Sequence, residues 1–185
     1  MGPMVKYTEN LILKVEGENK AEEVLDLYIR NKDAFEEYEP TRPDNFYTVK
    51  FHEKMLTREF KMYKLGSFLR YYIYAADNPG KIIGAVNFNF LSDGATRFSE
   101  IGYKVDSRYQ NMGVGYEACT AGIDIMKECY GFKRFDARIH PKNEASLRLA
   151  KKLGFSFVRM EPKSANILGS YVDLARYSLN TSITQ

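Results

Sequence analysis

The segment Gln110-Asn111-Met112-Gly113-Val114-Gly115 decides how this chain is read. It follows an apolar-rich stretch ending at Val105 and a polar run, Asp106-Ser107-Arg108-Tyr109. It leads into a helical pattern with apolar residues at Val114, Ala118, Ala121, Ile125 and Cys129. Glycines let a ligand approach the backbone, and the first N–H groups of a helix lack intrahelical partners. The macrodipole adds about half a positive charge, so a phosphate is a natural ligand for such a turn. Two readings stay open on these residues alone: a plain turn with a glycine helix start and a dinucleotide fingerprint. Gly113-x-Gly115-x-x-Ala118 formally satisfies the dinucleotide pattern, but its glycines come late and Asp136 lies inside the next expected strand. No G-x-x-x-x-G-K-[ST] sequence is present for a nucleoside triphosphate.

Working outward, hydrophobic periodicity predicts a strand at Leu11–Val15 and a helix from Asn19 to about Tyr38, with Ala21, Val24, Leu25 and Tyr28 on its buried stripe. A proline-marked loop, Glu39 to Asp44, precedes an amphipathic helix from Thr48 to Lys64. Strands are expected at Leu69–Ala76, Ile82–Leu91 and Thr96–Val105, with Asp77-Asn78-Pro79-Gly80 turning between the first two. The second half alternates: helix Gly113–Tyr130, strand Arg134–Ile139, helix Glu144–Leu153, then strands Phe155–Met160 and Ser170–Leu179. The simplest packing is an α/β (α+β) fold, a mixed, largely antiparallel sheet with helices on both faces, in a single domain over residues 1–185. Gly2 and Pro3, ahead of a second methionine at position 4, are expected to carry no structural weight.

Composition is that of an ordinary globular protein, 44% hydrophobic and 28% charged. A net charge of +3 argues for neither nucleic acid nor membrane as a partner, although mild basicity suits a polyanionic ligand. Cys119 and Cys129 lie in one expected helix, roughly 15 Å apart, too far to form a disulfide. Unpaired thiols and the lack of a long apolar run predict a cytoplasmic protein. His52 and His140 show no metal or nucleophile spacing, so no metal is expected.

Gln110-x-x-Gly113-x-Gly115 resembles the Q/R-x-x-G-x-G/A signature of the GNAT superfamily of acyl-CoA-dependent N-acetyltransferases. The likeness extends to Glu100-Ile101-Gly102-Tyr103 before it and to Asn143-Glu144-Ala145-Ser146 and Lys152-Leu153-Gly154-Phe155 after it. In that order these blocks are similar to the RimJ/RimL branch, which acetylates N-termini of ribosomal proteins, among other amines. Asn10-Leu11-Ile12-Leu13-Lys14 and Tyr38-Glu39-Pro40 resemble the branch more loosely. The resemblance implies acetyl-CoA as co-substrate, an amine acceptor, and direct attack in a ternary complex. An acyl-CoA-binding module without catalysis and acetylation of a small-molecule amine are the alternatives.

The same resemblance places CoA pyrophosphate on Gln110, Asn111, Met112, Gly113, Val114, Gly115 and Tyr116, and pantetheine along the backbone of Ile101, Tyr103 and Val105. It puts the Asn143 side chain on pantetheine and the Ser146 hydroxyl near the thioester sulfur, although Asn143 also serves as an ordinary N-cap. Many GNAT enzymes use a tyrosine of this helix as general acid; the matching position here is Ala150, which leaves the acid unassigned. Glu100, on the strand leading into the glycine turn, is the candidate base, directly or through a water, or else a cross-strand paired carboxylate. At about pH 7, freeing an α-amine of its proton costs about 1.1 kcal/mol and a lysine amine about 4.6 kcal/mol, so an α-amine needs only a modest base. Tyr38, Glu39 and Tyr47 of the first loop, with Asn87 and Asn89 on a central strand, are the candidate acceptor contacts.

Overall fold

The computed structural model describes residues 1–94 and 96–181. In chain order the elements are β1 (Val5–Tyr7), β2 (Leu11–Lys14), α1 (Ala21–Arg30), α2 (Lys32–Glu36), α3 (Val49–Lys64), β3 (Phe68–Ala75), β4 (Asn78–Ser92), β5 (Arg97–Val105), α4 (Val114–Tyr130), β6 (Arg134–Ile139), α5 (Glu144–Lys152), β7 (Ser156–Ile167) and β8 (Ser170–Asn180). The eight strands form one sheet in the order β1-β2-β3-β4-β5-β6-β8-β7. Every neighbouring pair is antiparallel except β5 with β6, so the expected mixed, mostly antiparallel sheet is what forms.

Strand alternation sorts the core onto two faces. Leu11 and Leu13 of β2, Tyr71 and Ile73 of β3, and Val86 and Phe88 of β4 pack with α4 and α5. Ile12, Tyr72, Tyr74 and Ala85 point the other way and pack with α1 and α3. On the first face α4 comes close to β4: a Cβ built on Gly122 would lie 2.6 Å from the Phe88 ring, which is fully buried.

Several expectations are corrected by long-range contacts. The helix expected over residues 19–38 breaks at Asn31, whose buried amide donates to the Leu27 carbonyl and whose Oδ1 accepts the Ser107 N–H. On α1, Leu27 is fully buried and Leu25 is only half-buried. On α4, Cys129 is exposed and Met126 takes the inner position. The β3–β4 turn is Ala76-Asp77, because Ala75 pairs with Asn78; Pro79 and Gly80 fall in the bulge that follows. Strand β7 continues past Met160 to Ile167 because a bulge around Lys163, in a left-handed conformation, accommodates Pro162.

A short β1 pairs ahead of β2, and the residues before it are anchored. The Tyr63 hydroxyl donates to the Gly2 carbonyl at 2.7 Å, Tyr71 donates to that of Pro3 at 2.6 Å, and the Gly2 N–H donates to Tyr130 at 2.9 Å. The expectation that Gly2 and Pro3 carry no weight is therefore wrong.

Gly122→Ala is expected to destabilise the fold by about 1–3 kcal/mol, since a methyl group must displace a ring that cannot move. Urea unfolding of the two proteins side by side checks this; equal midpoints would contradict it.

Candidate active site

The glycine turn is shaped by two left-handed residues, Asn111 at φ 61° and Gly113 at φ 83°. Asn tolerates that region and Gly occupies it without strain. The first backbone bond of α4 runs from the Glu117 N–H to the Gly113 carbonyl, so the N–H groups of Val114, Gly115 and Tyr116 precede the helical ladder and can take an anion. Gly115 serves a different purpose from Gly113: its missing Cβ would lie 3.0 Å from Leu149 Cδ2, so it lets α4 approach α5. Gln110 reaches back to the Val105 carbonyl at 3.4 Å.

The turn is held from outside by residues that no motif marks. Asp106 is fully buried and accepts from Arg30 Nε at 2.6 Å, from the Arg108 N–H at 3.0 Å and from the Arg108 guanidinium at 2.9 Å. Burial alone would push its carboxyl up, but the hydrogen bonds from Arg108 and Arg30 outweigh that and hold it well below the usual carboxylate range. Asn31 ties down the next residue through the Ser107 N–H. On α4 itself, Glu117 binds the Thr8 hydroxyl at 2.6 Å and the Asn10 N–H at 2.8 Å, which fixes the helix start against the β1–β2 turn.

Strand β5 pairs with β4 along its whole length, from Arg97↔Ser92 to Val105↔Gly84, but with β6 only at Ser99 and Glu100. Beyond Glu100 the two strands part, leaving the Ile101–Val105 edge without a strand partner on that side. This free edge ends at the glycine turn. The pairings Glu100↔Asn89, Gly102↔Asn87 and Lys104↔Ala85 place Glu100, Gly102 and Lys104 on the α1/α3 face, whereas Ile101, Tyr103 and Val105 pack toward α4 and α5. At the start of α5, Asn143 Oδ1 accepts the Ser146 N–H at 3.0 Å, and its Nδ2 has no partner among the described residues. The Tyr103 hydroxyl reaches the Ser146 carbonyl at 3.3 Å.

On the α1/α3 face the carboxylates near β5 are already paired. Glu100 accepts from Arg138 through both oxygens, at 2.7 and 2.9 Å. Glu39 is bound by Lys104 at 2.6 Å and Arg42 at 2.9 Å; burial pushes its carboxyl up, but these two cations outweigh it and hold it below its ordinary value. Glu59 pairs with Arg70 across α3 and β3. The Tyr47 hydroxyl donates to Glu36 at 2.6 Å and accepts from Arg42. Tyr38 stands against His140, ring centroids 5.4 Å apart, and its hydroxyl lies 3.4 Å from the Lys142 carbonyl, linking the first loop to the α5 entrance. Asn87 leans over Gly102, where a Cβ would lie 3.1 Å from its Oδ1, and its amide has no hydrogen bond among the described residues. Asn89 lies directly across from Glu100. Next to Glu100 in the parallel pair, Asp136 is fully buried and bound by Arg134 at 2.8 Å, Arg176 at 2.8 Å and Ser178 at 2.8 Å. It cannot serve a ribose, and the antiparallel strands before the turn are not a dinucleotide fold.

His52 is enclosed by aromatic rings, stacked 5.3 Å from Tyr28, and burial, with the charge of Arg42, pushes its imidazole down to about 4. Among the described residues no three His, Cys, Asp or Glu side chains are grouped to hold a metal ion.

The sequence pattern of the acetyltransferase (GNAT) domain family matches residues 12–156. The chain belongs to the GNAT acetyltransferase family. It is 29% identical over 153 residues to the probable N-acetyltransferase YjcK of Bacillus subtilis, covering 83% of this chain and 84% of that protein. It is 27% identical over 154 residues to the [ribosomal protein uS5]-alanine N-acetyltransferase of Escherichia coli, covering 83% and 79%. The solved ribosomal-protein-S5-alanine acetyltransferase of Vibrio fischeri superposes with a TM-score of 0.90 at 22% identity, over 99% of this chain and all of that one. This GNAT protein thus transfers an acetyl group from acetyl-CoA to an amine, as the sequence resemblance to the RimJ/RimL branch implies.

The two buried aspartates make the stability of the fold depend on pH. Burial raises the Asp136 carboxyl, but Arg134, Ser178 and Arg176 outweigh it, so both Asp106 and Asp136 titrate below their ordinary range when folded. A depressed folded pKa stabilises above the unfolded value, about 3.9, and that stabilisation is lost as pH falls from there through the folded value. Asp106→Asn is expected to cost about 3 kcal/mol at pH 7, with the gap to the parent protein narrowing toward pH 3. Urea titrations at both pH values check this; a gap that stays constant would contradict it.

Proposed function

We propose that this GNAT enzyme acetylates the α-amine of a protein N-terminus, in the cytoplasm, by direct attack within a ternary complex. The observation that carries this reading is the pairing of the nearest carboxylates: Glu39, Glu59 and Glu100 are each held by a cation. Carboxylates already engaged by cations are poorly placed to strip the proton from a lysine ammonium, whereas an α-amine, which costs less to deprotonate, needs less help. The uS5 N-acetyltransferase relative acts on such an amine by its name.

In this reading Gln110, Asn111, Met112, Gly113, Val114, Gly115 and Tyr116 hold the CoA pyrophosphate. Pantetheine pairs with the backbone of Ile101, Tyr103 and Val105, Asn143 Nδ2 binds its amide, and the Ser146 hydroxyl faces the sulfur. Glu100, with both oxygens on Arg138, receives the amine's proton through a water. The acceptor enters on the opposite face, past Asn87 and Asn89, with Tyr38, Glu39 and Tyr47 forming the loop that borders it. An unpaired buried Cys119 and an exposed Cys129 fit a reducing compartment, and no described helix is long and apolar enough to cross a membrane.

Thiol release is to be measured with acetyl-CoA against three acceptor sets: free N-terminal peptides, N-terminally blocked lysine peptides, and small amines. Turnover of the first set is expected, together with a drop in kcat/KM on the order of 100-fold in Glu100→Gln. Turnover confined to small amines would overturn the acceptor assignment. A Glu100→Gln enzyme with unchanged kinetics would remove the role of that residue.

A further inference from the structure

In the proposed complex the leaving sulfur has one hydrogen-bond donor, Ser146, and the structure places a second hydroxyl, that of Tyr103, against the Ser146 backbone carbonyl. Tyr103 lies in the part of β5 that has no β6 partner, on the face turned toward α4 and α5, and its ring packs against the core there. Its phenol oxygen is 3.3 Å from the Ser146 carbonyl, the only hydrogen bond it makes among the described residues. In an α-helix that carbonyl also accepts the N–H four residues on, which is that of Ala150. The phenol therefore points at the step of α5 between Ser146 and Ala150, a small and buried residue. An O–H donor usually lies at about 2.7 Å, so this bond is long, and it is the second on a shared acceptor. A negatively charged acceptor nearby would win it.

We propose that the Tyr103 hydroxyl turns from the Ser146 carbonyl to the thioester sulfur and hydrogen-bonds the thiolate as it leaves. The neutral amine attacks the carbonyl carbon, forming the C–N bond. The C–S bond breaks and its electron pair stays on sulfur. The proton lost by the nitrogen passes through a water to Glu100, which returns it to solvent, and the thiolate takes a proton from water on release, so products are the amide and CoA thiol. Tyr103 keeps its own proton throughout. Burial pushes its pKa far up, which makes it a neutral donor and a poor proton source.

The inference rests on pantetheine docking along β5, and the test separates the two. Tyr103→Phe removes one oxygen and keeps the ring. Binding of CoA is followed by calorimetry, and the ionisation of the bound thiol by its ultraviolet thiolate absorbance across pH. CoA affinity and melting temperature are expected to stay close to those of the parent, while kcat falls about 10- to 100-fold and the thiol pKa in the complex rises by about one to two pH units. Unchanged kcat with an unchanged thiol pKa overturns the proposal, as does weakened CoA binding with kcat intact, which would make Tyr103 only a wall of the site. If the parent protein binds no CoA, the docking itself fails.

Discussion

The rest of this molecule depends on how little β5 and β6 share. Among the described residues they are the one parallel pair in the sheet and meet only at Ser99 and Glu100. A parallel neighbour that departs so early leaves a row of backbone donors and acceptors open on β5, inside the protein, where an edge strand would otherwise be covered. The row runs directly into the N-terminus of a 17-residue helix. A long polyanionic ligand with an amide-bearing arm fits both halves at once: phosphates on the helix start, amides along the strand. Each arm of the split is fixed by a buried aspartate. Asp106 binds the end of β5 to Arg30 of α1, and Asp136 binds β6 to Arg176 and Ser178 of β8. The split is therefore built into the fold by contacts on both sides of it.

Charge pairing gives the two faces of the split different chemistry. Toward α4 and α5 the side chains are neutral: Ile101, Tyr103, Ser146, Ala150. Toward α1 and α3 they are charged and matched, Glu100 with Arg138, Glu39 with Lys104 and Arg42, Glu59 with Arg70. One side of the split thus offers hydroxyls and apolar groups, the other a polar surface of paired charges. Lys104, buried over the rings of Tyr28 and Phe35, also ties the loop carrying Glu39 to β5.

What was legible in the sequence was what short-range chemistry dictates. The Gly113 start of α4, β6 from Arg134 to Ile139, and α5 behind its Asn143 cap lie where period, cap and turn residues put them. The split itself was implied only by resemblance, because no local signal says where a strand stops pairing. The same reason hid the face of Glu100, which depends on its register with Asn89, and the break at Asn31, whose side chain is satisfied by Ser107 far along the chain. Asp106 and Asp136 looked like ordinary polar residues until their arginines arrived from α1 and β8. Gly2 looked dispensable until Tyr63 and Tyr130 closed on it.

The central claim is that the open edge of β5 and the start of α4 form one cofactor site, and amide NMR of the 15N-labelled protein titrated with CoA tests it most directly. The largest shifts and the greatest slowing of amide exchange are expected within Ile101–Val105 and Gly113–Tyr116, with β7 and the outer face of α3 unmoved. Saturable CoA binding that leaves both segments undisturbed would contradict the account.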